Sequence, residues 1–304
     1  MFPASNREFA GTEQQTDAWE GWQAVNSFEG AGPIRNLLLR VAYDGTEFHG
    51  WQIQPVDATI QGTLSRTLAE LCGETAHLHG AGRTDAGVHA EEQAANVHIS
   101  SRIPCANLVR ALNDHLPGSI RVLSVQEVPE GFHARRDARS KIYRYRIYRG
   151  AICPPSVSRY ALSFPYPLDE AAMAEAARVF EGTWDFRAFA SEDPGGAQEE
   201  KLKKSTIRTV FSSRLERQGE ELHYTVEGSG FLYHMVRIMT GTLLEVGRHR
   251  TTAAVIRNLL APETRGIGSA PGSTAPARGL TLVRVKYPAL KLTWNRTAFE
   301  TSAE

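Results

Sequence analysis

The glycine-rich segment GAGRTDAGVHA, residues 80–90, limits the folds open to this chain more than any other part of it. It begins like a nucleotide-binding loop. A dinucleotide fingerprint, however, needs a third glycine where this chain has Asp85, and a phosphate loop that began at Gly82 would need a lysine where it has Val88. The segment is therefore neither kind of nucleotide-binding loop, and its glycines need another explanation.

Strand-like residues flank this segment on both sides. Apolar residues alternate over 95–99, which is typical of a strand with one buried face. Gly82 and Gly87 allow backbone angles that a Cβ would forbid. We therefore predict a strand, a tight loop and a second strand, with the loop projecting Arg83 and Asp85 into a cleft.

Asp85 is the residue of the loop best suited to chemistry. An aspartate beside a fixed guanidinium stays ionised, and an ionised carboxylate is suited to act as a nucleophile or a base. The simpler alternative is a salt bridge within a turn. The loop taken alone favours that alternative, so the decision depends on the rest of the chain.

The remaining sequence alternates between the two kinds of secondary structure. Strands are predicted over 34–45, 120–129, 140–150, 205–217, 221–230 and 276–288, and helices over 59–73, 105–117, 168–182, 231–248 and 252–261. Thr59 is the predicted N-cap of its helix and Gly73 the residue that ends it. Gln218 and Gly219 are the predicted hairpin turn. The mixture of strands and helices in both halves predicts an α+β fold.

The chain divides into four predicted parts. Residues 1–33 are polar and aperiodic, which indicates a flexible extension, and 34–150 form an N-terminal domain with the loop. The CPP sequence at 153–155 indicates a linker into a C-terminal domain over 151–290, followed by a tail over 291–304. Within the second domain a polar insertion, 190–204, is predicted to be a flexible loop. The similar order of elements suggests a duplication, although no sequence repeat is strong enough to establish one.

Composition excludes several classes of protein. Charged residues make up 22% of the chain, and 34 basic residues balance 34 acidic ones. No run of about 18 apolar residues is present, so we expect no membrane span, and the N-terminus lacks the pattern of a secretion signal. Three widely spaced cysteines argue against a disulfide framework or a cysteine-rich zinc site. The cytoplasm is the compartment we expect.

Basic and aromatic residues are concentrated over 131–150. This segment carries seven arginines or lysines against one acid, Asp137. In the predicted strand Tyr143 and Tyr145 face one way and Arg144 the other. Phosphates and flat rings are the partners such a segment suits, and Arg144 is therefore a candidate for substrate binding. The alternative is an edge strand with solvated arginines.

Arg237 is the candidate partner of Asp85 in the second half. It follows a glycine turn in GSGFLYHMVR, residues 228–237, on the predicted helix 231–248. Gly241, one helical turn later, would let another backbone approach closely. A lone helical arginine is usually a surface residue, so Arg237 is a functional candidate only if it pairs with a buried carboxylate.

These segments together resemble the TruA-type tRNA pseudouridine synthases. The resemblance is carried, in the order of the family, by YDGTEFHGWQIQP, TIQGTL, GAGRTDAGVHA, LPGSIRVL, FHARRDARSKIYRYRIY, GTWDFRAF, GSGFLYHMVRIMTG and PARGLTLVRVKYP. They extend from about residue 34 to residue 288, and GRTDAGVHA is the most specific of them. The first 33 residues and the end of the chain lie outside the resemblance.

The resemblance implies a role for each candidate residue. Asp85 is the implied nucleophile, Tyr143 the tyrosine that stacks on the target base, and Arg237 the arginine that pairs with the aspartate. Arg83 is the implied arginine that helps to expel or replace the flipped nucleotide. The reaction breaks the N1–C1′ bond of a uridine and rejoins the base through C5. Whether the carboxylate attacks C1′, attacks C6 or removes a ribose proton stays open.

The resemblance also implies a fold, a substrate and partners. The fold is two RRM-like or ferredoxin-like domains with antiparallel sheets, flanked by helices, and a catalytic cleft between them. The substrate is tRNA, modified at uridines 38, 39 and 40 of the anticodon stem-loop, and the enzyme is a homodimer that needs no cofactor and no metal.

The histidines have simpler interpretations. We interpret His89 and His234 as packing residues. His77, His79 and His89 are close in sequence, but they lie on both sides of the loop, and we do not expect them to bind a metal.

Two other functions compete with the synthase. One is a tRNA-binding protein or chaperone that has kept the groove and lost catalysis, although such a protein would have no reason to retain Asp85. The other is a nucleoside or glycoside hydrolase, which would use two carboxylates. No second acid lies in a motif expected to converge on the loop.

Overall fold

One β-sheet extends through both halves of the chain in the computed structural model, which describes residues 32–192, 205–261 and 271–288. The strands are β1 Arg35–Tyr43, β2 His79–Gly80, β3 His89–Ile99, β4 Ile120–Val128, β5 Ser140–Tyr148, β6 Leu162–Ser163, β7 Gly182–Asp185, β8 Ile207–Gln218, β9 Glu221–Gly228 and β10 Leu280–Lys286. The helices are α1 Ile60–Cys72, α2 Cys105–His115, α3 Pro155–Ser158, α4 Glu170–Arg178, α5 Met235–Gly247 and α6 Ala253–Leu260. The fold is α+β, as predicted.

The sheet contains the same strand order twice. Its main path is β4-β1-β3-β10-β5-β9-β8-β7, with β2 on β3 and β6 on β5. In the first half the elements follow one another along the chain as β1-α1-β2-β3-α2-β4. Across the sheet the strands lie in the order β4-β1-β3-β2, that is, fourth, first, third and second in chain order. The second half repeats that order with β10, β5, β9 and β8. This is the order of a ferredoxin-like βαββαβ unit, and its repetition supports the suggested duplication.

Strand β10 joins the two halves. It pairs in parallel with β3 and antiparallel with β5. Leu282 is opposite Ala90 on one side and opposite Tyr143 on the other. Because neighbouring strands are about 4.8 Å apart, Tyr143 lies roughly 10 Å from the strand that follows the glycine loop.

The strand order bears on the domain boundary. The predicted boundary at residue 150 put β5 in the first domain, whereas by strand order β5 is the first strand of the second pattern. Where the two domains divide therefore stays a prediction, and the strand order favours the connection between β4 and β5. The predicted extension 1–33 and tail 291–304, and most of the insertion 190–204, lie outside the described residues.

Local sequence signals place several element ends. The Thr59 side chain accepts a hydrogen bond from the backbone of Gly62 at the start of α1, and Gly73 ends the helix with φ 69°. Both ends are as predicted. The hairpin turn lies one residue later than predicted, because Gln218 pairs with Glu221 and Gly219 has the positive φ. The described helices include none long and apolar enough to cross a bilayer.

Asp44 connects the end of β1 to residues of the second half. Its carboxylate accepts hydrogen bonds from Thr46, from Arg159 Nε at 2.7 Å and from Tyr160 Oη at 2.9 Å, and His89 Nδ1 lies 3.2 Å away. Burial alone would raise the pKa of Asp44. The hydrogen bonds from Thr46 and Tyr160 outweigh burial and lower that pKa to about 2.

We expect Asp44→Asn to destabilise the fold by about 1–3 kcal/mol at pH 7, because it removes a charged acceptor from several donors. A lowered pKa in the folded state contributes stability above the unfolded value of about 4, and that contribution is lost as the pH falls toward 2. Urea unfolding should therefore show a smaller difference between wild type and variant at about pH 3 than at pH 7. Asp114→Asn, at an exposed position on α2, is the control. An equal effect of Asp44→Asn at both pH values would contradict the prediction.

Candidate active site

The glycine loop is fixed by the segment that follows β1. Trp51 donates its backbone N–H to the carbonyl of Thr84 at 3.0 Å, and Tyr43 Oη lies 2.9 Å from Thr84 Oγ1. Gly50 has φ +87°, and a Cβ there would be 2.6 Å from the Thr84 carbonyl oxygen. The close approach of these two backbones holds the residue before Asp85 in place.

Contacts from β3 fix the other end of the loop. Gln93, which is fully buried, donates through Nε2 to the carbonyl of Gly82 at 2.9 Å. The backbone of Val88 donates to the carbonyl of Asp85 at 3.1 Å, and Gly87 adopts φ +76°. The loop is therefore a tight turn that presents the Asp85 side chain, which keeps 17% of its surface exposed.

Asp85 and Arg237 form an ion pair between the two halves of the chain. Arg237 Nη1 donates to Asp85 Oδ2 at 2.8 Å. Arg237 Nε donates to the carbonyl of Ala275 at 2.7 Å, and the Ala275 backbone donates to the Arg237 carbonyl at 3.1 Å. The hydrogen bond from Nε to the Ala275 carbonyl fixes the orientation of the guanidinium, so its Nη1 atom is directed at the Asp85 carboxylate.

Gly241 makes this arrangement of Arg237 sterically possible. A Cβ on Gly241 would lie 1.7 Å from the Ser273 carbonyl oxygen. The Thr242 hydroxyl also accepts a hydrogen bond from the backbone of Gly272 at 2.9 Å. The predicted close approach of another backbone at Gly241 is thus confirmed, and the approaching segment supplies the Ala275 carbonyl.

His234 is closer to Asp85 than the sequence suggested. Its Nε2 lies 3.5 Å from Asp85 Oδ2, and its Nδ1 lies 3.1 Å from Ser191 Oγ. The backbone of His234 is left-handed, with φ 61°, so α5 begins at Met235 rather than at the predicted residue 231. Burial lowers the pKa of His234, the Asp85 carboxylate opposes this, and Arg237 adds to it. His234 is therefore a neighbour of the carboxylate, and its interpretation as a packing residue alone was wrong.

Tyr143 forms the apolar wall of the site. It is buried in β5, and its ring makes an edge contact with Phe231 at 5.1 Å between centroids. Burial raises the pKa of Tyr143, and the nearby Tyr43 and Asp85 add to the rise. The phenol is therefore neutral, and its ring lies close to the carboxylate.

Arg83 and Arg144 lie farther from the centre of the site. Arg83 is on the exposed rim of the loop, where its Nε donates to Gln52 Oε1 at 3.2 Å. Arg144 follows Tyr143 in β5 and so points to the opposite face of the sheet, where its Nη1 is 3.2 Å from Glu91. The structure brings Asp85, Tyr143 and Arg237 together but not Arg144, and substrate binding by Arg144 is not favoured by this geometry.

His89 has a structural role. It is buried, and its Nδ1 accepts the backbone N–H of Gly45 at 3.1 Å. In the described ranges no three side chains of the His, Cys, Asp or Glu type are grouped as metal ligands would be.

Comparison with known proteins identifies the family of this chain. The family model described as tRNA pseudouridine synthase matches residues 40–137 and 176–288. The chain belongs to the tRNA pseudouridine synthase family. It is 46% identical over 254 residues to tRNA pseudouridine synthase A of Solibacter usitatus, and the match covers 84% of this chain and 100% of that one. It is 41% identical over 256 residues to tRNA pseudouridine synthase A 1 of Desulfotalea psychrophila, with the same coverage of 84% and 100%.

One solved structure has a low similarity to this chain in both fold and sequence. A chain of the "Crystal Structure of a Cbf5-Nop10-Gar1 Complex" matches with a TM-score of 0.32 and 10% identity, covering 81% of this chain and 48% of that chain. The assignment to the pseudouridine synthases, which are isomerases, therefore comes from the family model and the sequence relatives.

The contact at Gly241 gives a test of how Arg237 is positioned. Alanine favours a helix over glycine by about 1 kcal/mol, so helix propensity alone predicts that Gly241→Ala stabilises the protein. We expect the reverse, a destabilisation of about 1–3 kcal/mol in urea unfolding, because the new Cβ would overlap the Ser273 carbonyl. The control is Gly131→Ala, where a Cβ would meet nothing within 4 Å. A stabilised Gly241→Ala variant would show that the two backbones are not held together.

Proposed function

We propose that this protein converts uridine to pseudouridine in tRNA and that Asp85 is its nucleophile. The observation that carries the proposal is the ion pair of Asp85 with Arg237 beside the buried ring of Tyr143. Attack at C1′, attack at C6 and removal of a ribose proton would each use this carboxylate, and the Arg237 guanidinium at 2.8 Å holds it in place.

The surroundings of Asp85 suit an RNA base that has been unstacked from its RNA helix. A base in folded RNA must be unstacked before its glycosidic bond is accessible. An aromatic ring such as Tyr143 replaces part of the lost stacking, worth about 1–3 kcal/mol per base. Arg83, on the rim of the loop, is placed to contact RNA as the nucleotide enters. Because the base is detached and rejoined with no change in oxidation state, this chemistry calls for no redox cofactor.

The finer parts of the proposal come from the family resemblance and from the names of the relatives. We place the target uridines at positions 38, 39 and 40 of the anticodon stem-loop, the protein in the cytoplasm and its active form as a homodimer. The names of the Solibacter and Desulfotalea relatives support tRNA as the substrate.

Asp85→Asn tests the proposal directly, because it removes the nucleophile and changes the shape of the side chain little. We expect pseudouridine formation in a tRNA transcript to fall by about 10³-fold or more, with tRNA binding kept within a few-fold. The control is Glu175→Gln, at an exposed acid on α4, which should leave turnover unchanged. Unchanged turnover in Asp85→Asn would end the assignment of the nucleophile.

Product mapping separates the competing functions. Pseudouridines mapped at positions 38 to 40 by wild type would support the full proposal, and pseudouridines elsewhere would correct the target. Free uracil in the reaction would favour a hydrolase, and binding without any product would favour an RNA-binding protein that has lost catalysis.

A further inference from the structure

A lysine that the proposed chemistry does not use lies beside the glycine loop. Lys141 is in β5, two residues before Tyr143, and so projects from the same face of the sheet. Its ammonium is so close to Gly82 that a Cβ on that glycine would be 3.1 Å from Lys141 Nζ. Gly82 belongs to the glycine loop that also carries Asp85, so this ammonium lies against the loop that presents the carboxylate.

Lys141 lies in a group of cations. Burial lowers the pKa of Lys141 to about 8, and the charges of Arg135, in the connection before β5, and of Arg208, in β8, add to the effect. The Arg208 side chain also lies near Gly230.

In the described parts of the chain, no hydrogen bond or ion pair joins the Lys141 ammonium to an acceptor. The Arg208 hydrogen bonds among the described residues go to the backbone carbonyls of Ser205 and Ile207, at 2.8 and 2.7 Å. A partly buried ammonium beside two arginines is unfavourable for the free protein, which points to a ligand that brings negative charge.

We propose that Lys141, together with Arg135 and Arg208, binds an RNA phosphodiester next to the nucleotide that occupies the site, an inference that rests on the proposed function. A phosphate supplies several acceptor oxygens and a negative charge, which match an ammonium and two guanidinium groups. Binding there would fix the backbone beside the target and so position its sugar against Asp85.

Salt dependence gives the first test. Lys141→Met retains most of the side-chain stem and removes the charge. We expect it to weaken the binding of a tRNA transcript about tenfold or more and to reduce the slope of log affinity against log salt by about 1. The control is Arg110→Met, at an exposed position on α2, which should leave the slope unchanged.

The pH dependence of binding gives the second test. Lys141 is protonated below its pKa of about 8, and a bound phosphate favours the protonated form. The affinity of wild type should therefore fall as the pH rises from about 7 to about 9, by up to tenfold per unit above the pKa. Lys141→Arg should keep the salt slope of wild type but lose this pH dependence, since arginine does not titrate in this range.

Stability and product formation distinguish a binding role from a structural one. Removing one of three neighbouring cations should leave the melting temperature of Lys141→Met unchanged or raise it. With the variant in excess over tRNA, we expect pseudouridine to form more slowly than with wild type, because Asp85 is intact but the sugar is less well positioned.

An unchanged salt slope in Lys141→Met, or the same pH dependence in wild type and Lys141→Arg, would overturn the proposal. A wild type that forms no pseudouridine would remove the proposed function instead, and the salt slope would still decide whether Lys141 binds phosphate.

Discussion

The position of β10 between β3 and β5 is the constraint on which both the fold and the site depend. Without this strand the two ferredoxin-like patterns would share no hydrogen bonds along the sheet path. Because Leu282 pairs with both Ala90 and Tyr143, strand β10 sets the distance between the glycine loop and the tyrosine. The same pairing brings the second half close enough for Arg237 to reach Asp85. The site therefore depends on the pairing of β10 with both β3 and β5.

Backbone contacts, more than side-chain packing, determine where the charged groups lie. Gly50 lets one backbone meet the loop at Thr84, and Gly241 lets another meet α5 at Ser273. The contact at Gly241 brings the Ala275 carbonyl within hydrogen-bond distance of Arg237 Nε. The Nη1 atom of the same guanidinium then donates to Asp85. A preorganised pair of this kind does not need to rearrange when substrate charge develops.

Sequence reasoning succeeded where the deciding interactions are local. The N-cap at Thr59 and the left-handed Gly73 involve neighbours in the chain, and both are visible as residue types. It failed where the local structure is determined by contacts between residues that are distant in the sequence. The left-handed backbone of His234 shortens α5 and brings the ring to Asp85, and nothing in FLYHMVR distinguishes this from a helix that begins earlier. The parallel pairing of β10 joins residues nearly 200 positions apart, which no local pattern encodes.

The neutral net charge is compatible with a polyanionic substrate because the basic side chains on the two faces of β5 differ in whether a carboxylate pairs with them. On the face that Arg144 and Arg146 share, each arginine has a carboxylate, Glu91 at 3.2 Å and Glu221 at 2.7 Å. On the face that Tyr143 shares, the Lys141 ammonium has no such partner in the described parts of the chain. Acids thus neutralise the arginines on the face away from Tyr143, whereas the Lys141 ammonium lies against the glycine loop on the other face. A chain with balanced charges can in this way keep a cation on the face of β5 that also carries Tyr143.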